Sequence, residues 1–153
     1  MQTSMIPLHY TDSCIFLEVF SNEKGNKSNE CQSYLYNIGR SYEGVISILS
    51  LGEISKSFLM EFKQIKNLEL SFDKLKENLL KQFQLTSSGF EDYQLSLELK
   101  KIDYKLEPAD SLHIAMAINN KAKFFVTLGE KDLINNDKLV KFCREKGLKF
   151  KSL

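Results

Sequence analysis

An α/β architecture, built on a central parallel sheet with helices on both faces, is the fold class this 153-residue chain predicts. Two observations lead there. Short apolar runs alternate with longer stretches of helical periodicity, and the two clearest strand runs, VISILS at residues 45–50 and KFFVTL from Lys123, are almost continuously apolar, as strands buried on both faces are. The length fits one domain over residues 1–153, with enough apolar content for a substantial core.

Met5 to Tyr10 is a short mixed run that predicts the first strand, with Thr11 and Asp12 ending it. Ser13 to Phe20 carries Ile15, Phe16, Val19 and Phe20 in one stripe and predicts a helix, followed by the polar connection SNEKGNKSNE. An amphipathic helix is expected from about Ser28 to Tyr42, then the strand at 45–50. Ser50 and Glu53 open the next helix with S-x-x-E capping-box spacing. From Ser50 to about Ser87 the spacing of Leu, Phe and Ile among Lys and Glu predicts two helices, broken near Asn67 to Ser71. Another helix follows Gly89 and runs to near Ile102. PADSLHIAMAINN, residues 108–120, is a further helix: Pro108 suits its first position and Asp110 complements the positive end of its dipole. After the strand at Lys123, Asp137 can cap a last helix to about Lys146, Gly147 can end it, and LKFKSL is a final strand.

Twenty-one Lys and Arg against 20 Asp and Glu leave a net charge of +1, which supplies no global attraction to nucleic acid. Affinity of that kind needs a local patch. The basic residues of the last third (Lys121, Lys123, Lys131, Lys138, Lys141, Arg144, Lys146, Lys149 and Lys151) are either that patch or a solvated surface. Cys14, Cys31 and Cys143 are an odd set without CxxC spacing, which argues against a disulfide framework or zinc knuckle and predicts small buried apolar groups in a reducing compartment. The N-terminal stretch is too polar for a signal peptide and nothing reads as a membrane span, so the expected location is cytoplasmic.

Acids at the carboxyl ends of parallel strands are the candidate functional groups. Asp12 ends the first strand, Glu53 follows the second, Asp110 opens the helix leading to the third, and Glu130 and Asp132 follow that strand directly. Each has a purely structural account, as helix caps for Asp12 and Glu53 and as solvated loop acids for Glu130 and Asp132. Together they repel unless a cation or proton neutralises them, and Mg²⁺ or Mn²⁺ suits such oxygen donors. The chemistry implied is metal-assisted hydrolysis of a phosphodiester. No GxGxxG, GxxxxGK[ST] or GxSxG occurs, and two histidines, His9 and His113, cannot form a three-histidine zinc site. His113, three residues after Asp110, can orient that acid or bond to backbone.

These residues resemble the PIN-domain nucleases. YTDSCIF is similar to the family's first block, with Asp12 as its acid; ISILSLGEIS resembles the second, with Ser47 and Ser50 as hydroxyls and Glu53 as the acid; EPADSLHIAMAINNKAKFFVTLGEKDL resembles the third and carries Asp110 and Thr127. The resemblance implies a three-layer α/β/α sandwich with a central parallel sheet. It also implies a Mg²⁺- or Mn²⁺-dependent endoribonuclease acting on single-stranded RNA, as in the toxins of bacterial and archaeal toxin-antitoxin pairs. Asp12, Glu53 and Asp110 would be metal ligands, with Thr127 a hydroxyl neighbour. An antitoxin partner is implied, as is a homodimer formed through helices near Ser55 to Lys81, where Phe58, Leu59, Phe62, Ile65 and Leu68 recur. Two departures stand out. Gly129 occupies the place of the family's usual fourth acid, leaving Glu130 or Asp132 to complete the metal set, and Cys14 stands where a small hydroxyl or Asn is usual. The alternative is a weakened PIN-like domain that binds RNA or a protein without cutting.

Overall fold

The computed structural model describes residues 6–20, 25–77, 82–128 and 131–153, with backbone alone at 131 and 132. Five parallel strands form one sheet: β1 (Leu8–Thr11), β2 (Glu43–Ser47), β3 (Gln84–Thr86), β4 (Phe124–Thr127) and β5 (Lys149–Ser152), in the spatial order β3-β2-β1-β4-β5. The helices between them are α1 (Ser13–Phe20), α2 (Asn26–Tyr36), α3 (Ile48–Glu61), α4 (Ile65–Leu75), α5 (Phe90–Ile102), α6 (Pro108–Asn119), α7 (Lys131–Ile134) and α8 (Asp137–Glu145). This is the α/β/α sandwich the sequence predicts.

Strand alternation divides the core in two. Tyr10, Val45 and Phe125 face a cluster built with Leu99 of α5, Ile114 to Ala117 of α6, and Leu139 and Cys143 of α8. Ile46 and Val126 face the other way, against Ile15 and Phe16 of α1, Cys31 and Leu35 of α2, Ile54 and Phe58 of α3, and Leu75 of α4. Helices therefore cover both faces, which is why the central strands carry no polar alternation. Gly44 in β2 is required by a close approach: a Cβ there would sit 2.3 Å from the Phe83 ring and 2.9 Å from Ile38.

Several boundaries differ from the sequence expectation. The first strand starts at Leu8 and includes Thr11. Helix α2 ends at Tyr36, not near Tyr42, because Asn37 caps it and Gly39 turns left-handed at φ +77°. The second strand stops at Ser47, whose side chain accepts a hydrogen bond from Ser50 N (3.1 Å) and so caps α3. Ser50 is thus the third residue of that helix, and the expected Ser50–Glu53 capping box does not form. The break between α3 and α4 lies at residues 62–64; Asn67 and Ser71 are helical, and the Ser71 hydroxyl is satisfied within the helix by donating to Asn67 O (2.9 Å). Residues 84–86, expected to be helical, form β3. This edge strand exposes Gln84 and Leu85, so no buried apolar run marks it. Asn136 rather than Asp137 caps α8 by accepting from Leu139 N (3.1 Å), and Gly147 ends that helix at φ +88°, with Leu148 N reaching Cys143 O (2.9 Å). Among the described residues no helix is long and apolar enough to cross a membrane.

Candidate metal centre

Strand β1 is central, and the chain passes from it to β2 and β3 on one side and to β4 and β5 on the other. The crevice outside its carboxyl end is where a parallel sheet admits a ligand. Asp12 lies there, one residue past β1 and nearly buried. Its Oδ1 accepts from Ser13 N (2.8 Å) and from Ser13 Oγ (3.4 Å), and its Oδ2 accepts from Thr127 Oγ1 (3.2 Å) and from Cys14 Sγ (3.3 Å). Thr127 is the last residue of β4, so the carboxylate is fixed by both strands that meet at the crevice.

Glu53 projects from the second turn of α3. Its Oε1 accepts from His113 Nε2 (2.6 Å) and from Ser13 Oγ (3.3 Å). His113 lies one turn into α6 and is 2 % exposed. Its ring contacts Glu53 and not Asp110, and among the described residues it makes no side-chain bond to backbone of the kind the sequence left open. Its Nδ1 is 2.6 Å from the Tyr10 hydroxyl, which donates to Ser47 Oγ at 2.8 Å. Donor atoms of Asp12, Glu53 and His113 lie within 4.8 Å of one another.

Asp110, in the first turn of α6, is near enough to feel the same charges. Burial pushes its carboxyl pKa up, and the negative charges of Asp12, Glu53 and Glu107 push it further, against a downward pull from His113. Among the described residues no Lys or Arg pairs with Asp12, Glu53 or Asp110; the one basic partner is His113. Oxygen donors clustered without a cationic side chain fit a hard divalent ion. A concavity of about 470 Å³ opens beside Glu53, bounded by Gly52, Lys56, Ser88, Tyr93 and Leu112.

The structure thus brings together Asp12, Glu53 and Thr127, with Asp110 alongside. Gly129, Glu130 and the side chain of Asp132 lie outside the described residues. Sequence reasoning missed Tyr10 and the Glu53–His113 pair; the tyrosine follows a histidine on a strand and carries no spacing signal. Cys14 is half-buried while Cys31 and Cys143 are buried, and all three are free. Burial pushes the Cys31 thiol to about 11 and the Cys143 thiol to about 12, which makes both inert.

The PIN domain family model matches residues 10–139, a span that includes Asp12, Glu53, Asp110, His113 and Thr127. No curated protein matches the sequence. Among solved structures, FitAcB from Neisseria gonorrhoeae superposes with a TM-score of 0.68 at 10% identity, covering 92% of this chain and 96% of that one. VapBC2 from Rickettsia felis, bound to a DNA fragment from its promoter, gives 0.64 at 16% identity, covering 95% and 98%. A toxin-antitoxin complex from Klebsiella pneumoniae gives 0.62 at 18% identity, covering 85% and 93%. With its acids at the sheet edge and the family model spanning most of its length, this chain belongs to the PIN-domain family.

Proposed function

We propose that this chain is a Mg²⁺- or Mn²⁺-dependent endoribonuclease that hydrolyses phosphodiester bonds of single-stranded RNA, acting in the cytoplasm as a single domain and as the toxin of a toxin-antitoxin pair. One observation carries the reading: donor atoms of Asp12, Glu53 and His113 lie within 4.8 Å of one another at the carboxyl edge of the sheet, the Asp110 carboxyl feels the charges of Asp12 and Glu53, and no lysine or arginine among the described residues pairs with these acids. A divalent ion bound there would supply Lewis-acid stabilisation and lower the pKa of the attacking water. Asp12, Glu53 and Asp110 would hold it, with Glu130 or Asp132 completing the set. Thr127 fixes Oδ2 of Asp12. The family places this chain among proteins that are generally nucleases, and the solved toxin-antitoxin neighbours support an antitoxin partner.

A homodimer is part of the proposal. Phe58 is buried in the chain's own core and Phe62 and Leu68 pack against it, so the large apolar residues left exposed on α3 and α4 are Ile48, Leu59, Met60, Ile65 and Leu70. Sedimentation at high micromolar concentration checks it, with a dimer expected.

The test of the activity is cleavage of single-stranded RNA in the presence of Mn²⁺, its loss in EDTA, and its loss by at least about 100-fold in Asp12→Asn, the scale of removing one charged group from a reacting centre. RNA binding without cleavage in the wild type would replace this reading by the non-cutting one, for which Gly129 at the usual place of an acid is the supporting feature.

A further inference from the structure

We propose that His113 is a positioning residue for Glu53, acting through that carboxylate and not as a metal ligand itself. The inference rests on the metal-dependent reading of the site and adds to it the group that sets the geometry of one acid.

The argument starts from how differently the two carboxylates are held. Asp12 follows directly on β1, has a short side chain, and receives hydrogen bonds on both oxygens from Ser13, Cys14 and Thr127. Its orientation is over-determined. Glu53 sits on α3 with a longer side chain that is 37 % exposed, and every hydrogen bond to it among the described residues falls on Oε1. Left alone, such a side chain samples many rotamers, and fixing it costs conformational entropy.

His113 removes that freedom. A carboxylate can only accept, so Nε2–H is the donor in the 2.6 Å contact, and this nitrogen's lone pair is not offered to an ion while the bond stands. The other nitrogen is engaged as well, 2.6 Å from the Tyr10 hydroxyl, and that hydroxyl is tied to Ser47 Oγ at 2.8 Å. Ser47 is in turn anchored by Ser50 N at 3.1 Å and lies 3.3 Å from Ser50 Oγ. The ring is therefore gripped at both nitrogens and almost fully buried, and the chain of contacts runs from the first turn of α3 through β1 and α6 back to α3. Because both hydrogen bonds to Glu53 among the described residues fall on Oε1, the acceptor capacity of Oε2 is left for an ion. Partners that orient a metal-binding carboxylate in this way are worth about 10- to 100-fold in metal affinity.

Calorimetric Mn²⁺ titration of the wild type, Glu53→Gln, His113→Gln and the double variant tests this. His113→Gln should weaken binding about 10- to 100-fold, and the double variant should bind no more weakly than Glu53→Gln alone. Additive losses, or no loss in His113→Gln, overturn the proposal. Pulsed electron paramagnetic resonance of the Mn²⁺-loaded wild type needs no variant to fold: absence of coupling to a directly bound imidazole nitrogen is expected, and its presence makes His113 a ligand and overturns the proposal. A wild type that binds Mn²⁺ yet leaves RNA intact would instead strike the nuclease reading and leave the positioning role standing. A wild type that takes up no Mn²⁺ refutes both.

Discussion

His9 and Tyr10 are neighbours on β1, face opposite sides of the sheet, and each completes a histidine–tyrosine pair with the other kind of residue. On one face, His9 Nδ1 lies 2.9 Å from the Tyr34 hydroxyl; on the other, the Tyr10 hydroxyl lies 2.6 Å from His113 Nδ1. Both imidazoles are buried. The surroundings differ completely. His9 stacks on Tyr42 at 4.4 Å and meets Phe124 edge-on at 5.2 Å, and burial, with some help from the Lys151 charge, lowers its pKa to about 4. The second nitrogen of His113 meets a carboxylate at the sheet edge. A buried histidine is thus a packing element or a site element according to what its far nitrogen touches, and burial alone does not tell the two apart.

Truncation should separate the two faces most strongly. His9→Ala removes a ring from the aromatic stack and should cost about 3 kcal/mol, read from the urea midpoint, while Mn²⁺ affinity stays unchanged. A fall in Mn²⁺ affinity comparable to that expected of His113→Gln would erase the distinction.

Acid titration sharpens it next. The folded-state pKa of His9 is about 4 against an ordinary 6.5, so its contribution is complete above 6.5 and is lost as pH falls from there towards 4, by up to about 3 kcal/mol. His9→Phe should flatten that limb of the stability profile. On the other face the sign reverses. Asp110 has a raised pKa from burial and neighbouring negative charge, so stability without metal is greatest with the carboxyl protonated and declines as pH rises through its folded-state value. Asp110→Asn should therefore raise the melting temperature of the metal-free protein, by about 2–4 °C for each kcal/mol relieved, while weakening Mn²⁺ binding. A lower melting temperature would show that its charge at the mouth of α6 outweighs the repulsion.

The smallest effect is expected at Cys14, whose thiol is a weak donor to Asp12 Oδ2. Cys14→Ser should shift stability by less than about 1 kcal/mol. A large change in Mn²⁺ affinity would show that the Asp12 oxygens are less firmly held than their other bonds imply.

Much of the fold was legible because its signals are local. The apolar runs of β2 and β4, Pro108 at the start of α6 and Gly147 after α8 each carry their own physical cause. What failed was not local. Residues 84–86 become a strand only because β2 offers its edge to them, and Ser47 takes the cap of α3 from Ser50 because the strand ends three residues sooner than the expected 45–50. In the site, Asp12, Glu53, Asp110 and Thr127 could be picked out by their places after strands or at a helix start. The Glu53–His113 contact could not, since it joins residues 60 apart in the chain.

The strand order has a consequence for synthesis on the ribosome. Strand β1 is made early, but one of its two neighbours is β4, and Thr127 meets Asp12 across 115 residues of sequence. Parallel pairing over such a separation forms late, after the intervening helices exist. While the segment through β4 is still being translated, the nascent polypeptide has its first acid exposed and no crevice around it. Any hydrolytic capacity of this edge is therefore withheld until most of the described chain has emerged.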